Sequence, residues 1–332
     1  MKHVTLERAK EITAKFKDQK VLLVGDAMLD HYVLGVVQRV NPEAPVPLLN
    51  VRETRYMTGG AGNASKNVAK LGAATTLLTI TGDDPGAFRL REIAEEEGYS
   101  AYCIRDASRP TIQKSRFMAN NQQLLRVDQE EKHIVSAEIE EQIIADLKKF
   151  AADVTAIIVS DYDKGFITPK IAATVLEVAK EHNIPIIADL KANHVGIFKG
   201  VTAITPNRKE AHEFLKLNWP DEKKEPAELA KNLFELMGSD VFVTLGDEGI
   251  YIRNKDGEEA HIDPAKKIEV FDVSGAGDTV AAVLALSYAS GATAFEAGEL
   301  ANSAGAVVVS QVGSVALTTE ELLEMISTQE NS

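Results

Sequence analysis

Short, almost purely apolar runs recur along the chain, each closed by polar or glycine residues and set apart from the next by a stretch of helical periodicity. Lys20 to Gly25 (KVLLVG), Thr76 to Thr81, Ala101 to Arg105, Ala156 to Ser160, Ile184 to Ala188, Thr202 to Thr205 and Asp240 to Leu245 read as strands. Ala64 to Leu71, Ala87 to Glu97, Thr168 to His182 and Ala227 to Met237 read as helices. Runs apolar on both faces belong to buried parallel strands. Alternation of this length predicts an α/β fold with a mostly parallel sheet covered on both faces. No repeat, low-complexity segment or linker divides it, so 1–332 is expected to be a single domain.

Two stretches break the pattern. From His31 to Met57, Tyr32–Gly35 and Val46–Val51 look like short strands around Asn41-Pro42-Glu43-Ala44-Pro45, with no room for a helix. A second excursion, Thr111 to Asp128, carries strand-like Thr111–Met118 and Gln123–Val127 around Asn120-Asn121, a hairpin tip. Two β excursions, at about 31–57 and 111–128, predict one small antiparallel sheet outside the main one. It would act as a lid that excludes water from a reactive centre, as a dimer surface, or as both.

Composition narrows the setting. Of 332 residues, 45% are hydrophobic and 26% charged, an ordinary soluble balance. A net charge of −14 argues against a nucleic-acid surface, which needs clustered Lys and Arg. One cysteine, Cys103, leaves no internal disulfide and no cysteine zinc cluster. The charged amino terminus lacks a signal-peptide core, and Thr279 to Ala289 is too short to span a bilayer, so no membrane partner and a cytoplasmic location are expected.

The candidate chemistry lies at strand ends, the ligand edge of a parallel sheet. Asp272-Val273-Ser274-Gly275-Ala276-Gly277-Asp278-Thr279 precedes the apolar run, so Gly275-Ala276-Gly277 should open a helix. The unpaired N–H groups of that first turn, with the positive end of the helix dipole, make a seat for phosphate. Asp278 beside the seat is placed to take a proton from an attacking hydroxyl in phosphoryl transfer. A plain helix start with a first-turn Asp is the bland alternative. Asp30 follows the first strand as a possible acceptor for sugar hydroxyls, or as a solvated loop residue. Thr58-Gly59-Gly60-Ala61-Gly62-Asn63 lets a ligand near a helix start; a dinucleotide fingerprint is rejected, because Ser65 holds its third glycine position. Asn207-x-x-Glu210 puts an amide and a carboxylate one turn apart, fit for Mg²⁺ directly or through water, or for a capping box. Thr244-x-Gly246-x-x-Gly249 reads as a nucleotide approach or a hairpin turn. Lys164 and Lys191, each after a strand, are placed to reach phosphate. There is no P-loop.

Together, Asp272 to Thr279, Asn207-x-x-Glu210 and Gly59 to Asn63 resemble, in order and spacing, the signatures of the ribokinase-like (PfkB) carbohydrate kinases over nearly the whole chain. Gly25 to Tyr32, Asn41 to Pro47, Asn121 to Asp128 and Ser160 to Gly165 sharpen this to the D-glycero-β-D-manno-heptose 7-phosphate kinases, which phosphorylate the anomeric hydroxyl on the way to ADP-heptose. The resemblance implies a three-layer ribokinase-like fold with a β lid, ATP as co-substrate, Mg²⁺, and a homodimer through the lid. It makes Asp278 the base and Gly275, Ala276 and Gly277 the anion hole. Asp30, Gly60 and Asn63 would face the sugar, and Asn207 and Glu210 would organise Mg²⁺. Lys191, Asn207, Thr244, Gly246, Gly249 and Asn302 would lie along the nucleotide. Asp272, Ser274 and the Val308–Ser314 loop would form a monovalent-cation site for K⁺. On charge and position, Lys114, Arg116 and Arg126 are the candidates for the substrate's own phosphate.

Two departures qualify the match. Asp189-Leu190-Lys191-Ala192 stands where these kinases tend to carry Asp-Pro-Lys-Gly, which leaves the aim of Lys191 open. The chain stops near Ser332, so the adenylyltransferase domain fused to many such kinases is expected to be absent and a separate enzyme to finish the pathway. Alternatives are a kinase for another sugar or sugar phosphate (ribose, fructose, fructose 6-phosphate) and a non-catalytic sugar- or nucleotide-binding regulator on the same fold.

Overall fold

Alternation along the apolar runs sends side chains into two separate cores. In β1 (Lys20–Gly25), Val21 and Leu23 join one apolar cluster while Leu22 and Val24 join the other. The computed structural model describes residues 3–120, 122–265, 272–311 and 315–330. The remaining strands, in chain order, are β2 (Ala27–Val40), β3 (Pro47–Gly60), β4 (Ala74–Thr81), β5 (Ser100–Arg105), β6 (Gln113–Ala119), β7 (Gln122–Gln129) and β8 (Ala156–Ser160). They continue with β9 (Ile186–Asp189), β10 (Ala203–Ile204), β11 (Asp240–Thr244), β12 (Ile250–Arg253) and β13 (Glu259–Ile262). Nine of them form the central sheet in the order β13-β12-β11-β10-β9-β8-β1-β4-β5. From β11 to β5 every pairing is parallel, and β12 and β13 add an antiparallel edge.

Helices cover both faces. Leu6–Thr13, Ala61–Lys70, Pro85–Glu96, Ala276–Ala289, Ala294–Val309 and Thr319–Glu330 contribute to one core. Ala137–Ala151, Pro169–His182, Arg208–Phe214 and Pro226–Met237 pack into the other. This is the three-layer arrangement expected. Ala276–Ala289 is apolar nearly all round because it is covered on all sides, with every residue from Asp278 to Ser287 buried. The helix Pro169–His182 shows how local sequence sets such boundaries. Thr168 Oγ1 accepts from the Ile171 N–H at 3.2 Å, Pro169 begins the helix, and Asn183 ends it in a left-handed conformation. The helices Ala137–Ala151, Ala294–Val309 and Thr319–Glu330 and the β12–β13 hairpin extend the predicted set.

The lid is a second sheet, ordered β3-β2-β6-β7. Its strands β2, β3 and β7 are longer than the sequence marks, while β6 is offset by one or two residues from Thr111–Met118. β2 leaves β1 after Asp26 alone, and β2 and β3 pair over most of their length, with irregularities at Leu34/Gly35 and Val37/Val40. These bulges break the alternation that strand prediction relies on. β2 pairs antiparallel with β3 but parallel with β6, which corrects the all-antiparallel expectation. Asp30 therefore stands on a lid strand rather than in a solvated loop. Asn120, with φ +48°, begins the predicted hairpin tip; Asn121 lies outside the described residues.

Candidate active site

Gly275 caps the helix Ala276–Ala289 with φ +81°, a left-handed conformation that strains residues with a Cβ. In the turn it makes, the Ala276 N–H donates to Val273 O at 3.3 Å, and Gly277 lies close to Asp189 at the end of β9. A Cβ on Gly277 would lie 4.0 Å from Asp189 Oδ2. Asp278, in the same first turn, is 6% exposed. Its Oδ2 accepts from Asn63 Nδ2 at 2.7 Å and its Oδ1 from the Tyr162 hydroxyl at 3.2 Å. Burial pushes its carboxyl up to about 6; the two hydrogen bonds and Lys191 pull it down, and the charge of Asp30 pushes it up. Such a group is ionised at neutral pH yet basic enough to accept a hydroxyl proton.

Gly59 and Gly60, the last residues of β3, line the site beside this carboxylate. Gly60, at φ +59°, packs so closely that a Cβ would meet Asp26 O at 2.5 Å, and a Cβ on Gly59 would meet Asp30 Oδ2 at 2.4 Å. The chain then enters the helix Ala61–Lys70, which presents Asn63. That side chain is 3% exposed. Among the described residues its Oδ1 has no hydrogen-bond partner. A buried acceptor left open beside Asp278 costs stability unless a ligand donor completes it.

Across the gap, paired lid positions share a face. Asp30, Lys114 and Asp128 form one row, and Tyr32, Arg116 and Arg126 the next. Arg116 is ion-paired to Asp30, and its guanidinium lies over the Tyr32 ring at 5.3 Å. Arg126 pairs with Asp128 at 2.9 Å on the more exposed edge. Lys114 is half-buried; burial and then the neighbouring Lys164 lower its pKa, so a second anion there would be welcome. Lys164 itself pairs with Glu130 at 2.7 Å. The predicted phosphate candidates thus share a face with Asp30, with Arg126 at the rim.

The remaining candidates gather on the adjoining strand ends. Asn207 and Glu210 form a full capping box: the Glu210 N–H donates to Asn207 Oδ1 at 3.0 Å, and the Asn207 N–H to Glu210 Oε2 at 3.1 Å. Glu210 Oε1 also pairs with Lys191 at 2.5 Å, which settles where Lys191 points without the expected Pro-Lys-Gly turn. Its Nζ lies 5.7 Å from the centre of the Tyr162 ring. Asn207 makes an isolated β-bridge with Thr244, so the two motifs are neighbours. Gly246 and Gly249 shape the hairpin turn between β11 and β12, with positive φ at both. Asn302 stands further out, where Nδ2 donates to Asp263 O at 2.8 Å. Ser274 N–H donates to Asp272 Oδ1 at 2.9 Å. The rest of that predicted cation site falls partly on 312–314, outside the described residues. Among the described residues no group of three or more acidic, His or Cys side chains is arranged to hold a metal ion.

Several site residues carry no role in the sequence reading. Asp189 is half-buried at the end of β9 and pushed up to about 8 by desolvation and then by the charges of Glu210 and Asp278. Asp26 is pushed up to about 6 by burial, against hydrogen bonds from the N–H groups of Lys164 and Tyr162. Asp161 accepts from His194 Nδ1 at 2.7 Å and from the Lys191 N–H at 3.0 Å, bracing the loop after β9. Tyr162 reaches Asp278 directly. The available signal was position: each follows a predicted strand at its carboxyl end.

The profile of the pfkB family of carbohydrate kinases matches residues 18–321. A protein of Paramagnetospirillum magneticum named bifunctional protein HldE is 38% identical over 315 residues, covering 94% of this chain and 64% of that protein. Its namesake in Caulobacter vibrioides is 39% identical over 309 residues, covering 92% and 63%. The chain thus spans slightly less than two thirds of the length of these relatives. Among solved structures, phosphofructokinase-2 from Escherichia coli in complex with potassium superposes with a TM-score of 0.74 at 15% identity, covering 94% of this chain and 99% of that one. Arabidopsis thaliana ribokinase complexed with ribose and ATP gives 0.69 at 18% identity, covering 93% and 98%. At such identities these two share the fold with this chain. Among the described residues no helix is long and apolar enough to cross a membrane.

Proposed function

Because the chain belongs to the pfkB family of carbohydrate kinases, we propose that it transfers the γ-phosphoryl group of ATP to O1 of D-glycero-β-D-manno-heptose 7-phosphate. The observation that carries this reading is Asp278: a buried carboxylate, held on both oxygens, in the first turn of a helix that opens with Gly275-Ala276-Gly277. As O1 attacks the γ-phosphorus, Asp278 takes its proton and the bond to the β–γ bridging oxygen breaks, leaving ADP. The N–H groups of Gly275 and Gly277, joined by that of Ala276 as it leaves Val273 O, stabilise the charge on the equatorial oxygens. The open Asn63 Oδ1 accepts a sugar hydroxyl, Asp30 accepts another, and Gly60 lets the ring approach.

The phosphate at the far end of the substrate meets Lys114 and Arg116, with Arg126 at the rim; Arg116 exchanges Asp30 for, or shares it with, the incoming anion. Lys191, Asn207, Thr244, Gly246, Gly249 and Asn302 follow the nucleotide along neighbouring strand ends. Asn207 and Glu210 offer hard oxygens already tied to the capping box and Lys191, which fits a hydrated Mg²⁺ held through water better than direct coordination. When bound, Mg²⁺ would offset charge on the phosphates. K⁺ is assigned to Asp272 and Ser274. A homodimer through the lid is supported by the side chains of Leu125 and Val127, both exposed, on the face opposite Lys114 and Arg116.

The test is ATP-dependent turnover of the heptose phosphate with Mg²⁺ and K⁺, beside ribose, fructose and fructose 6-phosphate. Turnover of the heptose phosphate alone is the expected result. Turnover of another sugar instead overturns the substrate assignment, and ATP binding without turnover of any sugar favours a regulator.

A further inference from the structure

Asp278 is held by two side chains from different elements, and only one of them, Asn63, stands in the helix Ala61–Lys70 that follows the paired glycines. The other is Tyr162, from the loop after β8. Its hydroxyl donates to Asp278 Oδ1 at 3.2 Å. Its backbone N–H donates to Asp26 Oδ2 at 3.0 Å, which ties the loop to the first strand. A Cβ on Gly60 would lie 3.3 Å from the edge of its ring, and the Lys191 ammonium sits 5.7 Å from the ring centre. The one side chain therefore touches the base, the glycine wall and the lysine beside the nucleotide candidates. We infer that Tyr162 is a positioning residue that acts through Asp278, fixing the carboxylate so that a lone pair taken by neither the Tyr162 hydroxyl nor the Asn63 amide points at the attacking hydroxyl.

The physical reason is geometric first. A carboxylate held on one oxygen alone pivots about its Cβ–Cγ bond; a donor on each oxygen leaves one orientation. The second consequence is on the proton. Several charges face Asp278: Asp30 from β2, Asp189 and Lys191 from the end of β9 and the loop after it, and Glu210 from the helix Arg208–Phe214 through Lys191. Burial and the carboxylates favour the protonated acid, which is useless as a base. Tyr162 donates only to the charged form's advantage, and it cannot lose its own proton near neutrality, because burial and then the charge of Asp278 push its hydroxyl far up. It remains a donor across the working range.

This inference rests on Asp278 being the base, and the experiment separates the two. The pH dependence of kcat is measured for the wild type, Tyr162→Phe and Asp278→Asn with saturating ATP and heptose phosphate. Expected for Tyr162→Phe is a kcat lowered about tenfold with KM values for both substrates within about twofold, and an acid limb moved about one pH unit upward, since one hydrogen bond to a charged group is lost. If the limb stays in place while Asp278→Asn is inactive, Asp278 is the base and Tyr162 is only packing; the inference is overturned. If Asp278→Asn keeps its activity, the proposed function itself fails. Should Tyr162→Phe not fold, site-specific replacement of Tyr162 by a fluorinated tyrosine keeps the ring and makes the hydroxyl a stronger donor. The acid limb then moves to lower pH, and an unmoved limb overturns the inference.

Discussion

The carboxyl edge of the central sheet and the inner face of the lid both carry dense charge, but they hold it by opposite means. At the sheet edge Asp26 and Asp278 are buried and Asp189 is half-buried, and withdrawal from water raises the pKa of each. On the lid Asp30 and Asp128 are paired with Arg116 and Arg126 in partial contact with solvent. A dry carboxylate of tuned basicity suits proton transfer. Paired, half-wet charges suit the exchange of one anion for another, because the cost of opening an ion pair near the surface is small. Under the proposed function, this contrast assigns the reaction to the sheet edge and recognition of the substrate's phosphate to the lid.

The strongest way to break that division is at the edge. Asp278→Asn should leave ATP binding intact and lower kcat by about 10³-fold, within the range for removal of a general base; steady-state kinetics beside calorimetry reads both. Gly60→Ala is the next largest effect. The new Cβ meets Asp26 O at 2.5 Å at a φ of +59°, so a loss of about 2–3 kcal/mol is expected by chemical denaturation.

On the lid the expected effects are smaller and appear in KM. Arg116→Ala should raise KM for the phosphorylated sugar about 10–100-fold with little change in kcat, the signature of lost binding. Unphosphorylated sugars should be almost unaffected, which sharpens the assignment of recognition to the lid. Arg126→Ala, at the rim and paired with Asp128 in solvent, should cost less than about 1 kcal/mol of binding.

Asp189 tests the edge by stability. Its folded pKa, about 8, lies above the unfolded value, so the folded chain binds the extra proton between the two. The associated stability is fully present below the unfolded pKa and is lost as pH rises through about 8. Asp189→Asn should therefore stabilise the fold more in alkaline than in mildly acid buffer, by about 1–3 kcal/mol at most, read by denaturant unfolding at the two pH values.

Much of this was legible in the chain. The parallel strands could be read because burial on both faces leaves uninterrupted apolar runs, as in Lys20–Gly25 and Ala156–Ser160. Asp278, its glycines and Asn63 were legible because they sit in compact motifs beside helix starts. Lid strands β2, β3 and β7 were read too short, since bulges and half-exposed positions erase the period of two. Asp30 was read as a sugar-hydroxyl acceptor or a solvated loop residue, and the strand it stands on was missed for the same reason. The contact between Tyr162 and Asp278 joins positions 116 residues apart in sequence, and no local pattern encodes such a meeting. Nor does spacing say that Glu210 would be shared between a capping box and Lys191.

The most direct test of the central claim is the turnover of Asp278→Asn on heptose 7-phosphate, measured together with its affinity for ATP. A protein that folds and binds ATP as the wild type does, yet transfers phosphate about a thousandfold more slowly, is the predicted result. Turnover within a few-fold of the wild type would contradict it and remove the base from the site.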